Sequence, residues 1–417
     1  MASIARKNLF EDIPRFLVAQ AGIMFSVSLV TIQVGILDGF TRSTVRLIDQ
    51  SKADLWVSHK SMEFLDLTSP LTLDEWVQVR RVPGVVLAEP LSIQGTRWRS
   101  PSGRIDNVRI YGFDPNGQLF ANWKFSQGQI EALKQPYTVF VDRANQDELG
   151  LKKLGDSGEI ASLPAKLVGV TRDTQSMASS AFVFTSLETA NAYLFSGLTA
   201  EVKCTRQAGG DLRCINVFEK EDTDKADQAS PPAPKRLNLS SPITYILVKA
   251  KPGQDLEALR RSLEAAIPNT RVHTGSEMER LTRTYWRERT GVGFILGLGA
   301  VVGFVVGMVV VSQILYSSVS DHLKEFGTLK AMGASDWVIY RVITEQALWM
   351  AILGYAPSIL LCTALGVWTM AAKGIMILIT PATAAGVFGI TLVMCIGSAV
   401  FAIQKVTHVD PAIVFKA

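Results

Sequence analysis

The side chains that could hold a metal or attack a bond are few: four histidines and four cysteines in 417 residues. His59, His273, His322 and His408 are far apart, and none stands at the short spacing from another that a zinc site uses. Cys362 and Cys395 fall in apolar runs, where a thiol acts as a small packing residue. Cys204 and Cys214 fall in a polar stretch. An oxidising compartment would suit a local disulfide between them, a reducing one two free thiols. No Gly-x-x-x-x-Gly-Lys-Ser/Thr run occurs, so the usual backbone cradle for nucleotide phosphates is missing. No Gly-x-Ser-x-Gly elbow or Cys/His pairing stands out either. These residues predict a chain with no catalytic site and no metal site, driven by energy from elsewhere.

The elements that carry these residues are dominated by membrane spans. Mean hydropathy is +0.21 and only 19% of residues are charged, too apolar a balance for an ordinary soluble chain of this length. The net charge of +4 is too small and scattered to argue for nucleic acid. Residues 16–37 are free of charge and would span roughly 33 Å as a helix, about the thickness of the hydrocarbon layer. The competing reading is a cleaved signal peptide behind Arg6, Lys7 and Arg15. The run is long for that, and the following "LDGFTRS" offers no small-x-small cleavage site. Three further apolar runs follow, at 291–317, 341–372 and 375–403, with Pro357 expected to bend the third span. No Asp, Glu, Lys or Arg lies centrally in any span, which argues against an ion path, and Gln20 and Gln33 are expected to bond to neighbouring helices. Gly299, Gly303 and Gly307 recur every fourth residue on the second span and would let another helix approach closely. That helix could belong to this chain or to a second copy.

Residues 1–15 and 404–417 form short terminal segments. Arg6, Lys7, Arg15, Lys324, Lys330, Lys405 and Lys416 would lie inside, against Lys373 outside, which predicts cytoplasmic termini in an inner membrane. Arg280, Arg283, Arg287 and Arg289 on the outer flank of the second span run against that rule. The fold class expected is therefore four transmembrane helices plus a large α/β extracytoplasmic domain at 38–290. Strand, helix and strand signals occur at 53–58, 72–82 and 90–113, and again at 243–274, around a mostly β insertion at about 120–200. The stretch 203–241 reads as a flexible polar loop, and 276–290 as a helical stalk.

Residues 318–340 are too long for a simple turn between two spans. Leu323, Phe326, Leu329 and Met332 fall on one helical face, with Asp321, Lys324 and Glu325 largely off it, and Gly333 can end the helix. A short amphipathic helix of this kind could seat in a partner's groove, or lie at the lipid surface.

The run "KEFGTLKAMGAS" closely resembles the corresponding segment of the MacB/FtsX-type permeases, the type VII class of ABC transporter subunits. The order of one span, a large outer domain, three spans and a short tail is similar too, and "THVDPAIVFKA" resembles that family's closing segment. "RWRSPSGRIDNVRIYGFDP" and "VFVDRANQDELG" look most like the DevC branch, whose permeases lack a fused ATPase, whereas 203–241 departs from it. The resemblance implies a homodimer on a separate ABC ATPase, which would hold the ATP and magnesium; this chain would hold no cofactor. It places the ATPase contact on Leu323, Glu325, Phe326, Gly327, Leu329, Lys330, Met332, Gly333 and Ala334. It further implies a periplasmic membrane fusion protein, an outer-membrane channel and lipidic or amphiphilic cargo. A mechanotransmitter for a cell-wall hydrolase or sensor, and a lipoprotein-extraction permease, would use the same parts.

Overall fold

The computed structural model describes residues 13–195, 199–206, 212–219, 233–322, 325–328, 332–373 and 375–407. It divides into a helical unit, 1–41 with 286–417, and an α/β unit, 42–285.

The helical unit is built from four helices long and apolar enough to cross a membrane. They are α1 (Ile13–Asp49), α6 (Val292–Asp321), α7 (Asp336–Lys373) and α8 (Pro381–Thr407). Their shared core includes Ile23, Val27, Val311, Leu315, Ile343, Met350 and Met394. The first helix runs twelve residues past the apolar stretch to Asp49, because no Gly or Pro pair stops it after Leu37. The third starts at Asp336, absorbing Arg341 and Glu345 before its apolar part, and carries Pro357 within it. Residues 375–380, expected inside the fourth span, are not helical. Their Leu378 N–H donates to the Gly35 carbonyl at 2.9 Å. A Cβ at Gly35 would stand 2.8 Å from Ile377 Cγ2, and one at Gly39 would collide with the Met376 carbonyl. Thr380 then caps α8, its Oγ1 accepting from Thr383 N–H at 3.1 Å.

The α/β unit is organised by one sheet. Among the described residues its order is β14 (Thr270–Thr274), β1 (Leu55–His59), β13 (Tyr245–Ala250), β3 (Val85–Arg99), β4 (Ile105–Phe113), β9 (Ala181–Ser186), β6 (Thr138–Asp142), β8 (Leu163–Arg172) and β5 (Lys124–Gln127). The two strand-helix-strand groups read from the sequence and the β insertion between them are thus one surface. The reason is β3: fifteen residues long, it pairs β13 through its first part and β4 through its second. Parallel pairs β4–β9 and β6–β8 make the sheet mixed.

Strand alternation sets the cores on the two faces of the sheet. Trp56, Tyr245 and Leu247 face one way with Tyr111, Phe120 and Phe184. Leu55, Val57, Ile246 and Val248 face the other, under Leu259 and Leu263 of α4 (Leu256–Ala266). Helix α2 (Leu73–Arg80) begins at Thr72 with a complete capping box to Glu75, as the Thr-x-x-Glu spacing predicts, and stops before Pro83. Helix α3 (Leu187–Phe195) follows β9 directly.

Two expectations need correction here. The stretch 203–241 is not all loop: β10 (Thr199–Arg206) and β11 (Leu212–Glu219) form an antiparallel hairpin. Residues 220–232 lie outside the described residues. The stalk, expected as one helix, is α5 (Gly275–Thr284) followed by a π-helical turn, Tyr285–Arg289, and then Gly291 at φ +72°.

Candidate functional site

The expected coupling segment separates its apolar residues. Phe326 is only 3% exposed and joins the helical core with Val319, Ile339 and Ile343. Its ring is therefore covered by the chain's own helices. The geometry behind this is local: Phe326 N–H donates to the His322 carbonyl at 3.1 Å, which holds the ring within a helical turn of the end of α6. Gly327 is buried as well, while Glu325 is exposed and its carboxylate lies 3.2 Å from His322 Nδ1. Met332 is 72% exposed, although its N–H still donates to the Thr328 carbonyl at 3.0 Å. Gly333 then takes φ +89°, a left-handed value that ends a helical turn without a Cβ clash, and Ala334 is half-buried. Leu323, Leu329 and Lys330 lie outside the described residues. The sequence reading missed Trp337, 74% exposed in the first turn of α7. A large aromatic among Ser335, Asp336 and Arg341 was the available signal.

The glycine face of α6 is filled from within the chain. A Cβ at Gly303 would stand 3.2 Å from Leu29 Cδ2 and Val30 Cγ2 of α1, and one at Gly299 would stand 2.7 Å from Gln33 Nε2. At Gly307 it would meet Ser26 Cβ at 2.7 Å and collide with Met394 Sδ of α8. Close approach of backbones is what these positions provide. Helix α1 also received small residues the sequence reading did not use, at Gly22, Gly35 and Gly39. Within this packing Ser358 Oγ donates to the Gly354 carbonyl at 2.6 Å, and Asp38 Oδ2 accepts from Thr383 Oγ1 at 2.9 Å. Gln20, expected to bond to a neighbouring helix, is buried with both amide atoms unpartnered.

In the α/β unit, α5 is anchored by charge. Thr274 and Glu277 form a capping box, and Arg260 of α4 reaches the same carboxylate at 3.2 Å. Burial raises the Glu277 carboxyl, but the Thr274 N–H and the Arg260 guanidinium outweigh it and hold the group below its ordinary value. His273 is buried beside them with Nε2 unpartnered, and burial pushes its imidazole below its ordinary value. Nearby, the loop before α2 is pinned: Thr282 Oγ1 accepts from Leu65 N–H at 3.3 Å, and Phe64 stacks on Tyr285 at 3.9 Å between centroids. Asp66 in that loop accepts from Tyr111 Oη at 3.4 Å; burial raises its carboxyl, partly offset by Arg109 and Tyr111.

The register of the β10–β11 hairpin sets Cys204 opposite Cys214, though their side chains lie outside the described residues. Among the described residues no three or more His, Cys, Asp or Glu side chains gather as metal ligands would.

A family described as a MacB-like periplasmic core domain matches residues 16–266, and one described as an FtsX-like permease C-terminal segment matches 297–411. No curated protein matches the chain. Among solved structures, the periplasmic region of MacB from Actinobacillus actinomycetemcomitans is 11% identical, with 56% of this chain and 94% of that one covered at a TM-score of 0.35. The extracellular domain of the noncanonic ABC-type transporter YknZ from Gram-positive bacteria is 8% identical, covering 53% and 99% at 0.32. A domain of a putative permease from Porphyromonas gingivalis is 13% identical, covering 52% and 85% at 0.30.

Proposed function

Because the chain belongs to the MacB-like family of ABC-transporter permeases, with an FtsX-like C-terminal segment, we propose that it is the membrane subunit of an exporter driven by a separate ATPase. The observation that carries this is the two family matches in one chain, in order, across four apolar helices. ATP and magnesium would sit on the partner, and this chain would pass the partner's motion to its α/β unit on the far side of the membrane. With both termini in the cytoplasm of an inner membrane, residues 318–340 face the ATPase. The DevC-like segments favour lipidic or amphiphilic cargo handed to a membrane fusion protein and an outer-membrane channel. A homodimer would use surfaces other than the glycine face of α6, which α1 and α8 already fill. The outer face of the same helix exposes Phe294, Val301, Val305 and Val309.

Exposure selects the coupling residues to test. Met332→Asp combined with Trp337→Asp should abolish copurification with the co-expressed partner ATPase while leaving the thermal midpoint of the purified chain unchanged. Retained copurification would sink the docking assignment. Phe326→Ala is the contrasting control: it removes a buried ring and should cost about 3–5 kcal/mol of stability.

A further inference from the structure

The α/β unit contains a cleft that the coupling function does not use. Its volume is about 560 Å³, within the range of small-molecule sites. One wall is Leu73 and Trp76 of α2 together with Leu239, a segment tied to α2 by the Leu73 N–H to Ser241 carbonyl bond at 3.1 Å and the Asp74 N–H to Leu239 carbonyl bond at 2.9 Å. The indole of Trp76 is fixed, its Nε1 donating to the Ala88 carbonyl at 2.9 Å. The opposite wall is Lys134, together with Leu187 and Glu188 at the start of α3, which follows β9, the next strand but one from β3. Leu187 reaches across and is buried in the same core as Leu71 and Leu73. Asp114 completes the rim.

Two properties of this cleft point to a ligand class. Its walls combine apolar and polar side chains and are open, with Leu239 59% exposed beside the fixed indole. Its rim carries charges of both signs that make no salt bridge with one another among the described residues. Lys134 and Glu188 have no described ionic partner, and Asp114 uses only Oδ1, accepting from Asn116 N–H at 2.9 Å and Asn116 Nδ2 at 3.2 Å. A purely apolar occupant would leave three charges facing it. A singly charged one would meet at least one charge of its own sign. We propose that this cleft binds a zwitterionic amphiphile, its ammonium at Glu188 and Asp114, its anionic group at Lys134, and its apolar chain along Leu73, Trp76 and Leu239. Because the two walls come from separate helices, α2 and α3, an occupant bridges them. The proposal rests on the exporter reading only for the ligand's role as cargo or signal, not for its binding.

The test uses the full chain in nanodiscs, without ATPase or ATP, so its failure is separate from failure of the coupling assay. The probe is a short-chain phosphatidylethanolamine carrying a photoactivatable diazirine, with crosslinks mapped by mass spectrometry. Saturable labelling of peptides containing residues 73–77, 186–188 or 237–239 is expected. Unlabelled short-chain phosphatidylethanolamine should compete it, and a neutral glucoside of the same chain length should not. Lys134→Glu and Glu188→Lys, both at exposed positions, should each weaken labelling about tenfold, the loss of one charged contact, while labelling of α6 by bilayer partition stays constant. Labelling confined to the membrane helices would overturn the proposal. So would equal competition by the glucoside, or labelling indifferent to both charge reversals. If a reversed variant fails to fold, the competition arms on the unmodified chain still decide.

Discussion

His273 shows how one buried side chain can set the pH response of a domain. Its ring sits against Glu277 and Arg260 with Nε2 unpartnered, and burial holds its pKa below the ordinary 6.5, with Arg260 and Arg271 acting the same way and Glu277 and Glu264 opposing. The unfolded chain therefore takes up this proton before the folded one does. The stability contributed by the neutral ring is full above about pH 6.5 and is lost as pH falls through the depressed folded value. The thermal midpoint of the chain should drop between pH 7.5 and 5, and His273→Asn should flatten that slope. A variant with the parent's slope would assign the acid sensitivity to another group. Asp66 has the opposite sign: its raised pKa makes its contribution largest in acid and smaller as pH rises, so the two groups are separable by substitution. Neither burial could be read from sequence, where His273 was one of four scattered histidines.

The stalk was expected as a helix over 276–290, and in the fold Thr274 and Glu277 close the start of α5 in a capping box. Arg260 was not legible as its anchor, because α4 and α5 are joined only through β14 and the tertiary fold. Glu277→Ala removes the acceptor for the Thr274 N–H and for Arg260 together. It should cost about 1–2 kcal/mol, most of it from the cap, because the ion pair, still about a quarter exposed, is partly screened by solvent. A chemical-denaturation midpoint unchanged from the parent would show that neither contact matters. The segment 318–340 teaches the converse. Phe326 and Met332 fall on one stripe in a helical projection, yet one is buried in the helical core and the other exposed. Periodicity reports which residues share a face, not which of them a neighbouring element covers.

The two units have separate cores, and that has a consequence for the whole molecule. Val45, Leu47 and Ile48 at the end of α1 belong to the aromatic core of the α/β unit, while the core of the helical unit draws on residues from Ala19 onward. Residues 42–285 expressed alone should be soluble and monomeric, and should unfold in one cooperative transition followed by circular dichroism. Aggregation or a non-cooperative melt would mean that the helical unit completes this core.

Sequence alone determined the four apolar spans, the α/β character of the domain between the first two and the family, because each rests on local composition, period or a short motif. Tertiary structure decided the rest. The long strand β3 fused two apparent sub-units into one sheet, since pairing partners are chosen across the chain and not along it. The glycines of α6 went to α1 and α8, a choice between an internal and an external neighbour that spacing cannot make. Phe326 turned inward for the same reason: burial is a property of what surrounds a residue.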